Sequence, residues 1–242
     1  MLVDTHFHLD LMENMQSLIK QFRGVDVGII AVGTTPLAYS RELEFVSGIN
    51  NIRVGLGFHP QLVEQREYEI DLFLQELKKT RYVGEVGLDF NKDNIRSKKQ
   101  QLYFFRKIAQ TCAKQGEKVI SIHSVNATNE VINILEEEGT FKNCICILHW
   151  FTGTAIQRKR AVENDAYFSI NQKMAKTKSG QQTIRNIPAD KLLLETDAPF
   201  TGMISSVNNL QNELESIIQD ISLIRRENMM QQIKCNSENI FD

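Results

Sequence analysis

The chain has 242 residues, 42% of them hydrophobic and 24% charged, and a formal net charge of −2. That length suits one large α/β domain. The mild negative charge excludes a polycation, so contact with nucleic acid must rest on local basic patches. No run reaches the roughly 18 apolar residues of a membrane span. The opening MLVDTHFHLD lacks the basic and apolar regions of a secretory signal, so the expected location is cytoplasmic, with no membrane partner. The four cysteines do not form a disulfide framework. Cys112 and Cys235 lie in helical patterns, while Cys144 and Cys146 sit two apart in an apolar run. All four are expected as buried, reduced thiols.

Short apolar runs predict eight strands, at residues 2–5, 27–32, 53–57, 82–86, 118–122, 144–148, 166–170 and 191–195. Most are rich in Val, Ile and Leu with little alternation, as parallel strands buried on both faces are. Amphipathic stretches separate them. In one, residues 101–113, Leu102, Phe105, Ile108, Ala109 and Cys112 share a helical face. Alternating strand and helix implies right-handed βαβ units, and eight of them in one domain spanning 1–242 favour a closed (β/α)8 TIM barrel over an open sheet. Residues 207–242 read as two or three extra C-terminal helices, the first with an apolar stripe from Leu210 to Ile221 that packs on the barrel wall.

All five histidines fall just after a predicted strand. His6 and His8 follow the first in DTHFHLD, His59 the third in GLGFHPQ, His123 the fifth in SIHSVNA and His149 the sixth in ILHWFTG. Glu85 and Asp89 close the fourth strand in VGEVGLDF, and Glu195 and Asp197 close the eighth in LLLETDAPF. In a parallel barrel all these strand ends open on one face, where the chemistry is carried. Imidazoles and carboxylates gathered there suit a divalent cation. His6 and His8, two apart on an extended chain, point to one side. Asp4 and Asp10 orient this pair or cap the next helix. For Asp89, after Gly87, a turn position is the blander alternative.

In this order and spacing, DTHFHLD, GLGFHPQ, GEVGLDF, the HxFxG of His149 to Gly153, ETDAP from Glu195 to Pro199 and the CNSENIF tail resemble the TatD family of metal-dependent deoxyribonucleases, a branch of the amidohydrolase-like barrels. The resemblance implies two divalent ions, Mg2+, Mn2+ or Zn2+. His6, His8, Glu85 and Asp197 would hold one, and Glu85, His123 and His149 the other, with Glu85 bridging. Glu85 and Asp197 would be catalytic, Asp197 orienting or deprotonating the attacking water. His59 would sit on the phosphate side. The implied activity is hydrolysis of DNA at single-stranded or frayed ends, often from 3′ to 5′.

Two departures lie on the substrate side. Where the family pattern H-x-R-x-A has arginine this chain has Val125, and no Arg-Gly or Asn-x-Pro loop is recognisable between Phe200 and Val207. The hydrolytic centre is therefore expected intact with an altered substrate grip. In this the chain is similar to the QatD type of antiphage defence proteins, which brings in protein partners of a defence or repair complex. A nuclease subunit active only inside such a complex, and an amidohydrolase or lactonase acting on a small molecule, stand as alternatives. Three basic clusters are the candidate nucleic-acid footprint: Arg96, Lys98 and Lys99; Arg158, Lys159 and Arg160; and Lys173, Lys176 and Lys178. The middle one reads as plain helix surface. The third lies in a polar, mobile-looking loop, 171–182, expected to contact phosphate. Trp150 and Phe151 are candidates to stack on a terminal base.

Overall fold

A computed structural model of the chain describes residues 1–241; Asp242, the last residue of the expected helical tail, lies outside them. The described residues contain eight strands: β1 (Leu2–Phe7), β2 (Val27–Val32), β3 (Ile52–Gly55), β4 (Tyr82–Asp89), β5 (Val119–Val125), β6 (Ile145–His149), β7 (Tyr167–Ile170) and β8 (Leu192–Leu194). Each overlaps an expected strand, although the ends of β1, β4 and β5 run further toward the functional motifs than apolar content alone indicates. The helices are α1 (Met15–Gln21), α2 (Pro36–Phe45), α3 (Val63–Arg66), α4 (Ile70–Glu76), α5 (Lys98–Gln115), α6 (Thr128–Glu137), α7 (Thr140–Asn143), α8 (Ala155–Glu163), α9 (Gln172–Lys176), α10 (Lys178–Asn186), α11 (Val207–Arg225) and α12 (Met230–Phe241). None among the described residues is long and apolar enough to cross a membrane.

The strands are all parallel, in the order β3-β2-β1-β8-β7-β6-β5-β4. A bridge between Leu56 and Val83 joins the two outer strands and makes the expected (β/α)8 barrel. This seam depends on close backbone approach. A Cβ on Gly57 would lie 1.6 Å from the Gly33 carbonyl oxygen, so only glycine fits there.

Two cores follow from the two faces of the barrel wall. Val3, Ile30, Val32, Val119, Ile147 and Leu193 fill the inside, while Ile29, Val54, Val86, Ile120 and Ile122 belong to the layer under the helices. Ile240 and Phe241, at the end of α12, join the inner core. The Tyr82 hydroxyl donates to the Phe241 carbonyl (2.8 Å) and the Arg53 guanidinium lies 4.4 Å from the Phe241 ring. Both residues stand at strand beginnings, so α12 plugs the bottom of the barrel rather than only its wall. The expected apolar stripe of α11, including Leu210, Leu214, Ile217 and Ile221, is buried.

Two strands break their alternation. In β1, Leu2 and Phe7 pack in the outer core and Val3 in the inner one, and the pairing to β2 shifts between Asp4 and Phe7. The shift resets the parity, so His6 and His8 face the axis although Val3 does too. In β4 the pairing to β5 shifts between Val83 and Val86, which puts both Tyr82 and Glu85 inside. The thiols differ from expectation. Cys112 and Cys146 are buried, and burial pushes both thiols up, but Cys144 is half-buried and Cys235, on the outer side of α12, is exposed.

One buried carboxylate has no role in joining elements. Glu42 of α2 is 3% exposed and neither oxygen has a hydrogen-bond partner. Burial, with a smaller push from Asp10, raises its pKa from 4.5 to about 8. The unfolded chain thus loses this proton near 4.5 while the folded chain keeps it to about 8, so folding stability falls as pH rises across that window. In chelator, Glu42→Gln is expected to flatten the loss by up to about 1.4 kcal/mol per pH unit and to be the more stable protein above about pH 8. Denaturant titrations over that range check it; parallel curves for the two proteins would refute it.

Candidate metal centre

The strand ends bring every histidine of the chain to one carboxylate. The Glu85 oxygens divide them. Oε2 lies 3.5 Å from His6 Nε2, 3.4 Å from His8 Nε2 and 3.2 Å from His59 Nε2. Oε1 lies 2.5 Å from His123 Nδ1 and 3.0 Å from His149 Nε2. Asp197 Oδ1 closes the first group, 3.7 Å from His6 Nε2 and 3.5 Å from His8 Nε2, and those two nitrogens are 3.3 Å apart. Four donors with metal bonds of about 2.1 Å stand about 3.4 Å apart at the corners of a tetrahedron, so the His6, His8 and Glu85 atoms already have the spacing of one ion's ligands, and Asp197 stands at that spacing from both imidazoles. In the second group His123 Nδ1 and His149 Nε2 are 3.4 Å apart.

A second test is which ring nitrogen each histidine leaves free. The His6 Nδ1 bonds the Ser121 hydroxyl at 2.7 Å, leaving Nε2 for the centre. His123 Nε2 bonds Asp89 Oδ2 at 3.2 Å, leaving Nδ1. His149 turns Nδ1 toward Glu195, 3.6 Å away, leaving Nε2. In all three the free nitrogen is the one facing Glu85, which is how outer partners prepare imidazoles for a cation. His59 differs. Its Nδ1 accepts the Gln61 backbone N–H, which puts the neutral ring's proton on Nε2. That nitrogen is a donor, suited to an anionic oxygen rather than to an ion.

The turn alternative for Asp89 does not hold. Asp89 is buried at the end of β4 and receives His123 and the Gln61 amide (2.7 Å). Burial pushes its carboxyl up, but those two hydrogen bonds hold it below the usual carboxylate range. Gly87 is needed there for space, since a Cβ would lie 2.1 Å from the His123 carbonyl oxygen. Asp4 acts through backbone: its carboxylate accepts from His6 N (3.0 Å) and Thr196 N (3.1 Å), tying the His6 and Asp197 segments together. Asp10 accepts from Thr34 rather than from the His pair. Ser121, Gln61, Ser169 and Asn171 are positioning residues that sequence reasoning missed. The usable signal was the strand period for Ser121, which stands two before His123 on the inward face of β5.

Glu195 holds the end of β6. Its carboxylate accepts from the Trp150 backbone N–H (3.1 Å), the Asn171 amide (2.8 Å) and the Ser169 hydroxyl. Trp150, with φ 38°, and Asp197, with φ 53°, both have left-handed backbones, which side chains of this kind adopt rarely and mostly at functional positions. The other sequence candidates scatter. Phe151 is buried against Phe168, so it is no stacking platform. The expected mobile loop is instead two short helices, α9 and α10. Lys173, Lys176 and Lys178 are all exposed and outside the lining of the cavity at the centre, and only Lys173 touches a lining residue, donating to the Phe200 carbonyl. Arg96 pairs with Glu64, Lys98 lies near Glu130 and Arg160 pairs with Glu136, so these clusters are partnered surface.

The centre opens into a cavity of about 650 Å³. Its charges are balanced within. Burial raises Glu85, but the neighbouring imidazoles of His59, His123, His149 and His6 together hold it well below the usual carboxylate range. Burial lowers His8, yet hydrogen bonds to Asp197 and Glu85 outweigh it and raise it to about 9; His149 and His123 are raised in the same way, chiefly by Glu85. A cation must displace those protons. Apparent metal affinity is therefore expected to rise with pH up to about 9, with protons released on binding. Calorimetry in buffers of different ionisation enthalpy measures this, and an affinity flat from about pH 6 to about pH 9 would contradict it. Ser121→Ala and Asp89→Asn are each expected to weaken metal binding about 10- to 100-fold without unfolding the protein; unchanged affinity in both would remove their positioning role.

Known proteins identify the family of the chain. The family described as TatD related DNase matches residues 3–242. A metal-dependent hydrolase of Buchnera aphidicola is 30% identical over 215 residues, covering 84% of this chain and 80% of that one. A deoxyribonuclease of Homo sapiens is 26% identical over 228 residues, covering 86% and 81%. The crystal structure of the TatD homologue YJJV of Escherichia coli superposes with a TM-score of 0.84 at 20% identity, over 99% of this chain and 97% of that one, which speaks for the fold. The ordered motifs, the barrel and this match over nearly the whole length place the chain in the TatD family of metal-dependent hydrolases.

Proposed function

We propose that the chain is a divalent-metal-dependent nuclease that removes nucleotides from DNA ends, exonucleolytically from the 3′ side. The observation that carries this reading is the Glu85 carboxylate, one oxygen among His6, His8 and Asp197 and the other between His123 and His149. His6, His8, Glu85 and Asp197 would hold one ion, and Glu85, His123 and His149 a second. Two ions so placed would supply an activated water and offset charge on the phosphate. Asp197, which lines the cavity, would orient that water and take its proton. His59 donates from Nε2 to a phosphate oxygen. The match to deoxyribonucleases supports DNA as the substrate class.

Labelled single- and double-stranded DNA incubated with Mg2+ or Mn2+ tests the reading. Wild type is expected to release label from 3′ ends before 5′ ends, and Glu85→Ala to fall to background. No cleavage by wild type, or equal cleavage by the variant, overturns it. His59→Gln is expected to lower kcat about 100-fold with metal content unchanged. One observation favours a second reading: among the described residues no lysine or arginine lines the cavity, which also suits a small ester or amide, as for a lactonase or amidohydrolase. Turnover of such compounds without DNA cleavage would decide for it.

A further inference from the structure

The residues around the mouth are unlike those at its floor. Phe200 is 59% exposed, its ring centroid 5.1 Å from that of His8 with the two planes nearly perpendicular, and Leu11 is 41% exposed; both line the cavity with Leu62, Val125 and Trp150. Apolar surface this close to a polar centre is costly to leave in water unless it receives something. Trp150 is also held deliberately. Its left-handed backbone is fixed by the buried Glu195 carboxylate, and the Lys173 ammonium sits 5.1 Å from the indole centroid while donating to the Phe200 carbonyl at 3.0 Å. Lys173 thereby ties the β6 and β8 loops together and steadies one side of the indole.

We propose that this mouth is a nucleobase site: the terminal base stacks on Trp150 and is enclosed by Phe200, while its phosphate reaches the donor cluster. The inference rests on the nuclease reading and adds to it how the substrate is gripped. A flat, uncharged ring matches the apolar rim, and stacking on an indole is tolerant of base identity. A polyanionic strand does not match. Tracking a backbone needs a row of basic side chains, and none lines this cavity. The volume of about 650 Å³ suits one nucleotide-sized ligand. Recognition is thus one nucleotide deep, and the enzyme reads an end rather than a duplex.

Trp150 is the only tryptophan in the chain, so intrinsic fluorescence reports this site alone. In Mg2+, dAMP and dTMP are each expected to change the emission saturably, with 2-deoxyribose 5-phosphate at least about tenfold weaker. In cleavage, an oligonucleotide ending in an abasic residue is expected to show kcat/KM at least about tenfold below the base-bearing one. Trp150→Leu should erase that difference, and Trp150→Phe should keep most of it. Equal response to the sugar phosphate, or equal cleavage of both ends by wild type, overturns the base site and leaves the nuclease reading standing. Nucleotide-dependent emission without any DNA cleavage overturns the nuclease reading and leaves the base site standing. If Trp150→Leu fails to fold, the wild-type titration and the abasic comparison decide.

Discussion

The structure is organised around one buried negative charge. Glu85 is 2% exposed, and an isolated carboxylate so placed would take up a proton or destabilise the fold by several kcal/mol. It stays ionised because all five imidazoles of the chain come within 3.5 Å of it. The interaction runs both ways, since the carboxylate raises His123 and His149. Such a cluster is held together by protons until a cation replaces them. Its geometry is set by what stands behind it: Ser121, Asp89 and Glu195 each occupy or face the ring nitrogen that does not point inward.

The barrel supplies rigidity at the positions this balance requires. Its interior below the donors is filled by apolar side chains, and α12 closes the bottom with Ile240 and Phe241. Solvent and substrate therefore meet the charges only from the loop face. The two parity shifts serve the same end. A regular β1 would turn the His pair away from Val3's side of the wall, and a regular β4 would do the same to Glu85 relative to Tyr82. Each local irregularity lets one strand pack an aliphatic or aromatic residue low in the barrel and ligands high in it.

Most of this was legible in the sequence because strong signals coincide. Apolar runs marked the strands, and His, Glu and Asp placed just after them marked the open face. What stayed hidden depends on three-dimensional neighbours. Asp89 looks like a turn residue because GLDF reads as one, yet β4 continues through it to orient His123. Residues 171–182 look mobile because they are polar, yet Asn171 and Thr177 side chains cap the start of α9 and α10. Phe151 and Trp150 are indistinguishable by type, but one faces the core and the other the cavity. The parity shifts leave no mark in composition at all. Ser121 has one mark in the sequence, its place two residues before His123 on the same strand face.

The departure at Val125 now has a physical setting. Val125 ends β5 on the same inward period as Val119, Ser121 and His123, so an apolar side chain lines the cavity beside Asp89. An arginine there would have met that carboxylate or a phosphate. Instead Asp89 is satisfied by His123 and by the neutral Gln61 amide at 2.7 Å, and all of its negative charge is spent on orienting one imidazole. The centre loses nothing by the exchange, but the rim loses a cation. Under the proposed base site, binding draws on the buried donors, on His59 and on apolar contact with the rim, not on a chain of phosphate contacts. Chemistry and grip are thus separable in this barrel: the first is fixed by the Glu85 charge balance, and the second is free to change at residues such as Val125, Trp150 and Phe200 without disturbing it.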